Sequence, residues 1–125
     1  MDDDEAPRVF TGRLELVADG AGGWGRWQVV EVAGGATVGS IELSGPDGGS
    51  VDFRFAMEPK WLKKGYATEA MGGLIDWAFS HPEVRRIRAQ ARRQEPAAIR
   101  VLEDNGLSHV GDEPDLLRFE LARPD

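Results

Sequence analysis

The segment from Val51 to Phe79 joins an alternating strand to an amphipathic helix through a basic turn that contains glycine. Between Val51 and Met57, apolar side chains alternate with Asp52 and Arg54, which is the two-residue period of a half-buried strand. From Ala67 to Phe79, apolar residues recur at steps of three and four, so one stripe of a helix faces a core. This strand–turn–helix unit predicts an α/β (α+β) fold.

The turn inside this unit has the properties of a phosphate-binding site. The first N–H groups of a helix have no intrahelical partner, and the helix dipole is positive at that end, so an anion is favoured there. Lys63 and Lys64 add positive charge just before the helix, and Gly65 lets the backbone come close to a ligand. We therefore predict a pyrophosphate cradle in the turn.

The rest of the chain predicts a mixed, mostly antiparallel sheet with two main helices. The predicted strands are Val9–Val17, Trp27–Val32, Thr37–Leu43, Arg86–Arg92, Ser108–Val110 and Leu116–Leu121, and a second helix begins at Pro96 and stops at Gly106. The strand–helix–strand order makes Arg86–Arg92 parallel to the strand that ends at Met57. We expect a disordered acidic tail at residues 1–6 and a single domain at residues 7–125.

Charge and composition narrow the class of function. The net charge of −7 argues against nucleic acid as a partner, but residues 54–93 hold nine Lys/Arg and four Asp/Glu, a local balance of +5. Cysteine is absent, and His81 and His109 are isolated from other ligands, so no metal site is expected. No apolar run is long enough for a membrane span and the N-terminus is acidic, so we expect a soluble cytoplasmic protein with no membrane partner.

Two stretches resemble the GNAT superfamily of N-acetyltransferases. Leu62-Lys63-Lys64-Gly65-Tyr66-Ala67 is similar to the acetyl-CoA motif Gln/Arg-x-x-Gly-x-Gly/Ala, but has Leu62 at the first position. The stretch Arg100–Leu107 resembles sequences of the subgroup that acetylates ribosomal-protein N-termini and related small molecules. The resemblance implies a V-shaped splay between two parallel central strands that holds acetyl-CoA or another acyl-CoA. The residues that it places against this cofactor are Phe55, Ala56, Met57, Lys63, Lys64, Gly65, Tyr66, Ala67 and Thr68.

The same resemblance implies direct acyl transfer to a primary amine of a protein N-terminus, peptide or small metabolite. Asp52 is the candidate base, Glu42 is a second candidate, and Glu69 fits better as a helix-start or ion-pair residue. Asp52 could also be an exposed strand carboxylate paired with an arginine.

Three departures from the family pattern keep a second function open. Glu95 occupies the position at which many family members have an Asn that contacts the cofactor. Leu102 occupies the position at which many members have a tyrosine that acts as general acid toward the thiolate. Only Asp19–Gly25 is available where the family inserts two helices that wall the acceptor site. The chain could therefore be a non-catalytic acyl-CoA-binding module, or a homodimer partner could cover the acceptor groove. Trp24, Trp27 and Trp61 could mark the covered surface, but tryptophans are more often core or partly buried residues.

Overall fold

The computed structural model describes residues 6–57 and 65–124 of the 125-residue chain. Residues 1–5 of the predicted tail and residues 58–64, which include Trp61, Lys63 and Lys64, lie outside the described residues. The strands are β1 (Arg8–Phe10), β2 (Leu14–Ala18), β3 (Arg26–Glu31), β4 (Thr37–Asp47), β5 (Ser50–Met57), β6 (Arg86–Arg92), β7 (Ser108–Asp112) and β8 (Leu116–Ala122), and the helices are α1 (Tyr66–Phe79) and α2 (Pro96–Asp104).

All eight of these strands form one sheet, in the order β1-β2-β3-β4-β5-β6-β8-β7. Strands β1 to β5 run as an antiparallel meander, β5 and β6 are parallel, and β8 is antiparallel to both β6 and β7. The parallel register between β5 and β6 runs from the pair Ser50–Arg86 to the pair Phe53–Ala89 and goes no further. The strands beyond that point are splayed, as the family resemblance implied.

Both helices cover the same face of the sheet. Helix α1 packs on β1 and β2, α2 packs on β6, and the two helices contact each other. The core lies in this layer and includes Trp27, Phe53, Met71, Ile87 and Phe119, all of them almost fully buried. The opposite sheet face is polar, because the residues that alternate with the core positions on β5 and β6 are mainly charged. We call it the open face.

The predicted single strand from Val9 to Val17 is wrong, because the chain turns back between β1 and β2. The Thr11 hydroxyl accepts a hydrogen bond from the backbone N–H of Leu14 (3.2 Å), and the N–H of Thr11 donates to the carbonyl of Leu14 (2.9 Å). These local bonds compete with a continuous strand. The result is an additional short edge strand.

Residues 19–25 form a loop without a helix, so the expected absence of a helix pair at this position is confirmed. The loop packs against the C-terminal end of α1, where the Trp24 and Trp77 rings lie 4.8 Å apart and the Trp27 and Trp77 rings 5.0 Å apart. Trp27 is fully buried and donates its indole N–H to the carbonyl of Gly23 (2.8 Å). Trp27 is therefore a core residue, in agreement with the alternative that the tryptophans belong to the core.

No helix of the described residues is long and apolar enough to cross a membrane.

Candidate functional site

A cleft of about 1280 Å³ opens where β5 and β6 separate. Its walls include Asp52, Phe55 and Ala56 from β5, together with residues of β6, β8 and the start of α2. On the other edge of β5, Phe55, Ala56 and Met57 pair with β4. Backbone groups of these three residues that face the gap have no pairing with β6 in the described register. They are therefore available to a ligand that enters the cleft.

The start of α1 has the backbone conformation that the predicted cradle requires. Gly65 precedes the helix in the left-handed conformation (φ 78°) and has no side chain that could cap the helix start. Tyr66 and Ala67 are buried and Thr68 is half-buried, so these residues can offer main-chain rather than side-chain contacts. This helix start fits an anionic phosphate group.

A polar network that sequence reasoning did not find holds this helix start against the β1–β2 turn. Glu69, in the first turn of α1, accepts hydrogen bonds from the Thr11 hydroxyl, from the backbone N–H of Arg13 (2.8 Å) and from Nε of Arg13 (2.7 Å). The Arg13 guanidinium also lies 4.5 Å above the centre of the Tyr66 ring. Glu69 is thus an ion-pair residue that fixes tertiary structure, in agreement with the expectation for it.

Two pKa values in this network are displaced. The hydrogen bond from Tyr66 to Glu31 (2.5 Å) raises the pKa of the Tyr66 hydroxyl above its ordinary value, and burial acts in the same direction. Burial raises the pKa of Glu69, but the hydrogen bonds from Thr11 and Arg13 together outweigh it, so that the net pKa is below the ordinary value. Tyr66 is therefore neutral and Glu69 is ionised at neutral pH.

Asp52 lies in the cleft but is bonded to Arg88 on the facing strand. Nε and Nη2 of Arg88 donate to its two carboxylate oxygens at 2.9 and 3.1 Å, and the two side chains are 47% and 45% exposed. Each carboxylate oxygen keeps a second lone pair that can accept from a substrate. Glu42 is exposed on β4 opposite Arg54 and does not line the cleft.

The two other departures from the family pattern also have defined positions. Glu95 lies at the rim of the cleft, before Pro96 at the first turn of α2, and makes no side-chain cap hydrogen bond. Leu102 is fully buried in the core. The position of Leu102 can therefore supply no side-chain proton to a departing thiolate.

His81 and His109 stay outside the cleft. His81 packs against Trp77 at a ring distance of 4.5 Å, and His109 contacts Asp112 on the same strand. Within residues 6–57 and 65–124, no group of three or more His, Asp or Glu side chains is placed to hold a metal ion.

Comparison with known proteins identifies the family. Residues 1–108 match the model of the acetyltransferase (GNAT) domain. The chain belongs to this family. It is also 32% identical over 99 residues to YjdG, an uncharacterized N-acetyltransferase of Bacillus subtilis (strain 168), in a match that covers 76% of the chain and 59% of that protein. The matched part of this protein thus spans little more than half the length of that relative.

Solved structures confirm the predicted GNAT fold. A GNAT-family acetyltransferase from Bacillus anthracis superposes with a TM-score of 0.80 at 18% identity, over 93% of this chain and 98% of that one. Spermidine N-acetyltransferase from Vibrio cholerae, solved with CoA and spermine, superposes with a TM-score of 0.70 at 19% identity, over 78% of this chain and 64% of that one. At these identities the likeness concerns the fold.

Proposed function

We propose that this protein is an acetyl-CoA-dependent N-acetyltransferase that acts on a primary amine. The observation that carries the proposal is the gap between β5 and β6 in a GNAT domain, with the left-handed Gly65 before the start of α1. The pantetheine arm lies in the gap against the backbone of Phe55, Ala56 and Met57. The residues that we propose to surround the pyrophosphate are Lys63, Lys64, Gly65, Tyr66, Ala67 and Thr68.

Transfer is direct in this proposal. The amine nitrogen attacks the thioester carbonyl, a C–N bond forms, the C–S bond breaks, and CoA leaves as the thiolate. A backbone N–H of β5 that faces the gap stabilises the negative charge on the carbonyl oxygen. Asp52 accepts the proton from the amine, directly or through a water, on the lone pairs that Arg88 leaves free.

Incubation with acetyl-CoA and a panel of amines and peptides tests this function, with free thiol as the readout. We expect turnover with at least one acceptor, and we expect Asp52→Asn to lower kcat by about 100-fold, because an amide cannot take the proton. Thermal stabilisation of both proteins by acetyl-CoA is the control for binding. An unchanged kcat in Asp52→Asn would show that Asp52 is not the base. If the wild-type protein neither binds acetyl-CoA nor releases thiol, the proposed function is wrong.

A non-catalytic acyl-CoA-binding module is the second candidate. Buried Leu102, the bidentate pairing of Asp52 with Arg88 and the loop at residues 19–25 in place of a helix pair favour it. Acetyl-CoA would then stabilise the protein without release of thiol with any acceptor. The cytoplasmic location and a homodimer that covers the acceptor groove remain proposals, and sedimentation of the protein with and without CoA tests the dimer.

A further inference from the structure

The cleft between β5 and β6 is lined by more arginine side chains than its own carboxylates can neutralise. Arg54, Arg88, Arg92 and Arg118 line it, together with the carboxylates Asp52, Glu95 and Glu120. This local excess of positive charge occurs in a chain with a net charge of −7. The composition of the protein as a whole does not explain it.

One of the three carboxylates is ion-paired with an arginine. Arg88 forms the bidentate pair with Asp52 and stands directly opposite Glu120 in the register of β6 and β8. Glu95 is the remaining carboxylate of the lining. Arg54, Arg92 and Arg118 form no ion pair with any described residue, and all three are exposed.

Arg54 and Arg92 lie on the two strands that border the gap, on the open face, and Arg118 lies on β8 behind β6. Arg54 lies on β5, next to buried Phe53, and therefore projects away from the helices. Arg118 stands opposite Gln90 of β6, and Arg92 is two residues further along the same face of β6. The Arg118 guanidinium extends over Gly111, where an added Cβ would come within 3.0 Å of Nη2, so the glycine makes room for it.

The proposed acetyl-CoA site leaves this face free, because the helix start that takes the pyrophosphate belongs to α1, on the covered side of the sheet. We propose that the open side of the cleft takes amine acceptors that carry carboxylates near the amine, and that Arg54, Arg92 and Arg118 bind those carboxylates. Guanidinium groups match carboxylates in charge and geometry, and they repel polycations such as polyamines. The inference rests on the proposed acetyl transfer and names its acceptor class.

Three amidated peptides that differ only in charge test the proposal: Ser-Asp-Asp-Gly-Tyr, Ser-Asn-Asn-Gly-Tyr and Ser-Lys-Lys-Gly-Tyr. Because exposed charge pairs each contribute modestly, we expect kcat/KM to be about tenfold higher for the acidic peptide than for the neutral one at low salt, and lowest for the basic one. The triple variant Arg54→Gln, Arg92→Gln, Arg118→Gln should abolish this order and leave KM for acetyl-CoA unchanged. Arg26→Gln, an exposed arginine of β3 that does not line the cleft, is the matched control and should keep the order.

Binding measured without turnover separates this inference from the proposed function. The same peptides, labelled at the C-terminus, are titrated with the CoA-loaded protein and followed by fluorescence anisotropy. Tighter binding of the acidic peptide, lost in the triple variant and weakened by salt, supports the acceptor class even if no thiol is released. Equal binding of all three peptides, or tighter binding of the basic one, overturns it, whereas absence of stabilisation by acetyl-CoA speaks against the function alone.

Discussion

At the scale of single residues, Glu69 joins the N-terminal hairpin to helix α1. Its carboxylate accepts bonds from Thr11 and from both the backbone and the side chain of Arg13, and its own side chain is only 21% exposed. Hydrogen bonds to charged groups are stronger than neutral ones. We expect Glu69→Gln to lower the free energy of unfolding at pH 7 by about 2 kcal/mol, measured by urea denaturation.

The pH dependence of this effect has a defined sign. Because the pKa of Glu69 is lower in the folded state than its ordinary value of 4.5, its contribution is fully present above pH 4.5 and is lost as the pH falls through the folded pKa. The difference between wild type and Glu69→Gln should therefore shrink in acid. Glu103→Gln, an exposed carboxylate on α2, is the control and should change stability little at any pH. A difference that stays constant from pH 7 to pH 3 would contradict the assignment.

At the scale of elements, the β5–α1 connection depends on Gly65, which has a positive φ of 78° at the helix start. Among the described residues, the nearest neighbour of an added Cβ there would be Nη2 of Arg13 at 3.5 Å. Gly65→Ala should therefore cost about 1 to 2 kcal/mol of stability from conformational strain. It should also weaken acetyl-CoA binding, since the changed backbone moves the N–H groups of Tyr66 and Ala67, and calorimetric titration measures that loss.

Gly48 provides a matched control for this variant. It also has a positive φ (60°), and an added Cβ there would meet nothing within 4 Å, but it lies in the β4–β5 turn. Gly48→Ala should cost similar stability and leave the affinity for acetyl-CoA unchanged. If both variants bind acetyl-CoA as the wild type does, the helix start is not the phosphate site.

Individual helices and strands could be predicted from the sequence, but the contacts between them could not. Strand β5, helix α1 and strand β6 follow from local periodicity, and the observed bounds differ by a residue or less from the predicted ones. The bonds from Arg13 to Glu69 and from Tyr66 to Glu31 join residues that are 56 and 35 positions apart, so no local pattern contains them. The alternative pairing of Asp52 with an arginine was foreseen, but its partner Arg88 depends on the parallel register of β5 and β6.

At the scale of the whole molecule, α1 is attached to the N-terminal meander at both ends. The Glu69 network fixes its start, and the loop at residues 19–25 fixes its end through Trp77. Gly23 allows this second contact, because an added Cβ would lie 2.5 Å from the Trp77 ring and the residue has a φ of 81°. The loop is thus part of the same core as the sheet.

We therefore expect Gly23→Ala to destabilise the entire domain rather than the loop alone. Strain at a positive φ together with the clash against Trp77 should cost about 3 kcal/mol. Gly25→Ala in the same loop is the control and should change little, because an added Cβ there meets nothing within 4 Å. Tryptophan fluorescence follows the loop and circular dichroism follows the sheet and helices, so in a single cooperative unit their unfolding midpoints shift together. A fluorescence transition that precedes the circular dichroism transition in Gly23→Ala would mean that the loop unfolds separately and that α1 is held by its N-terminal network alone.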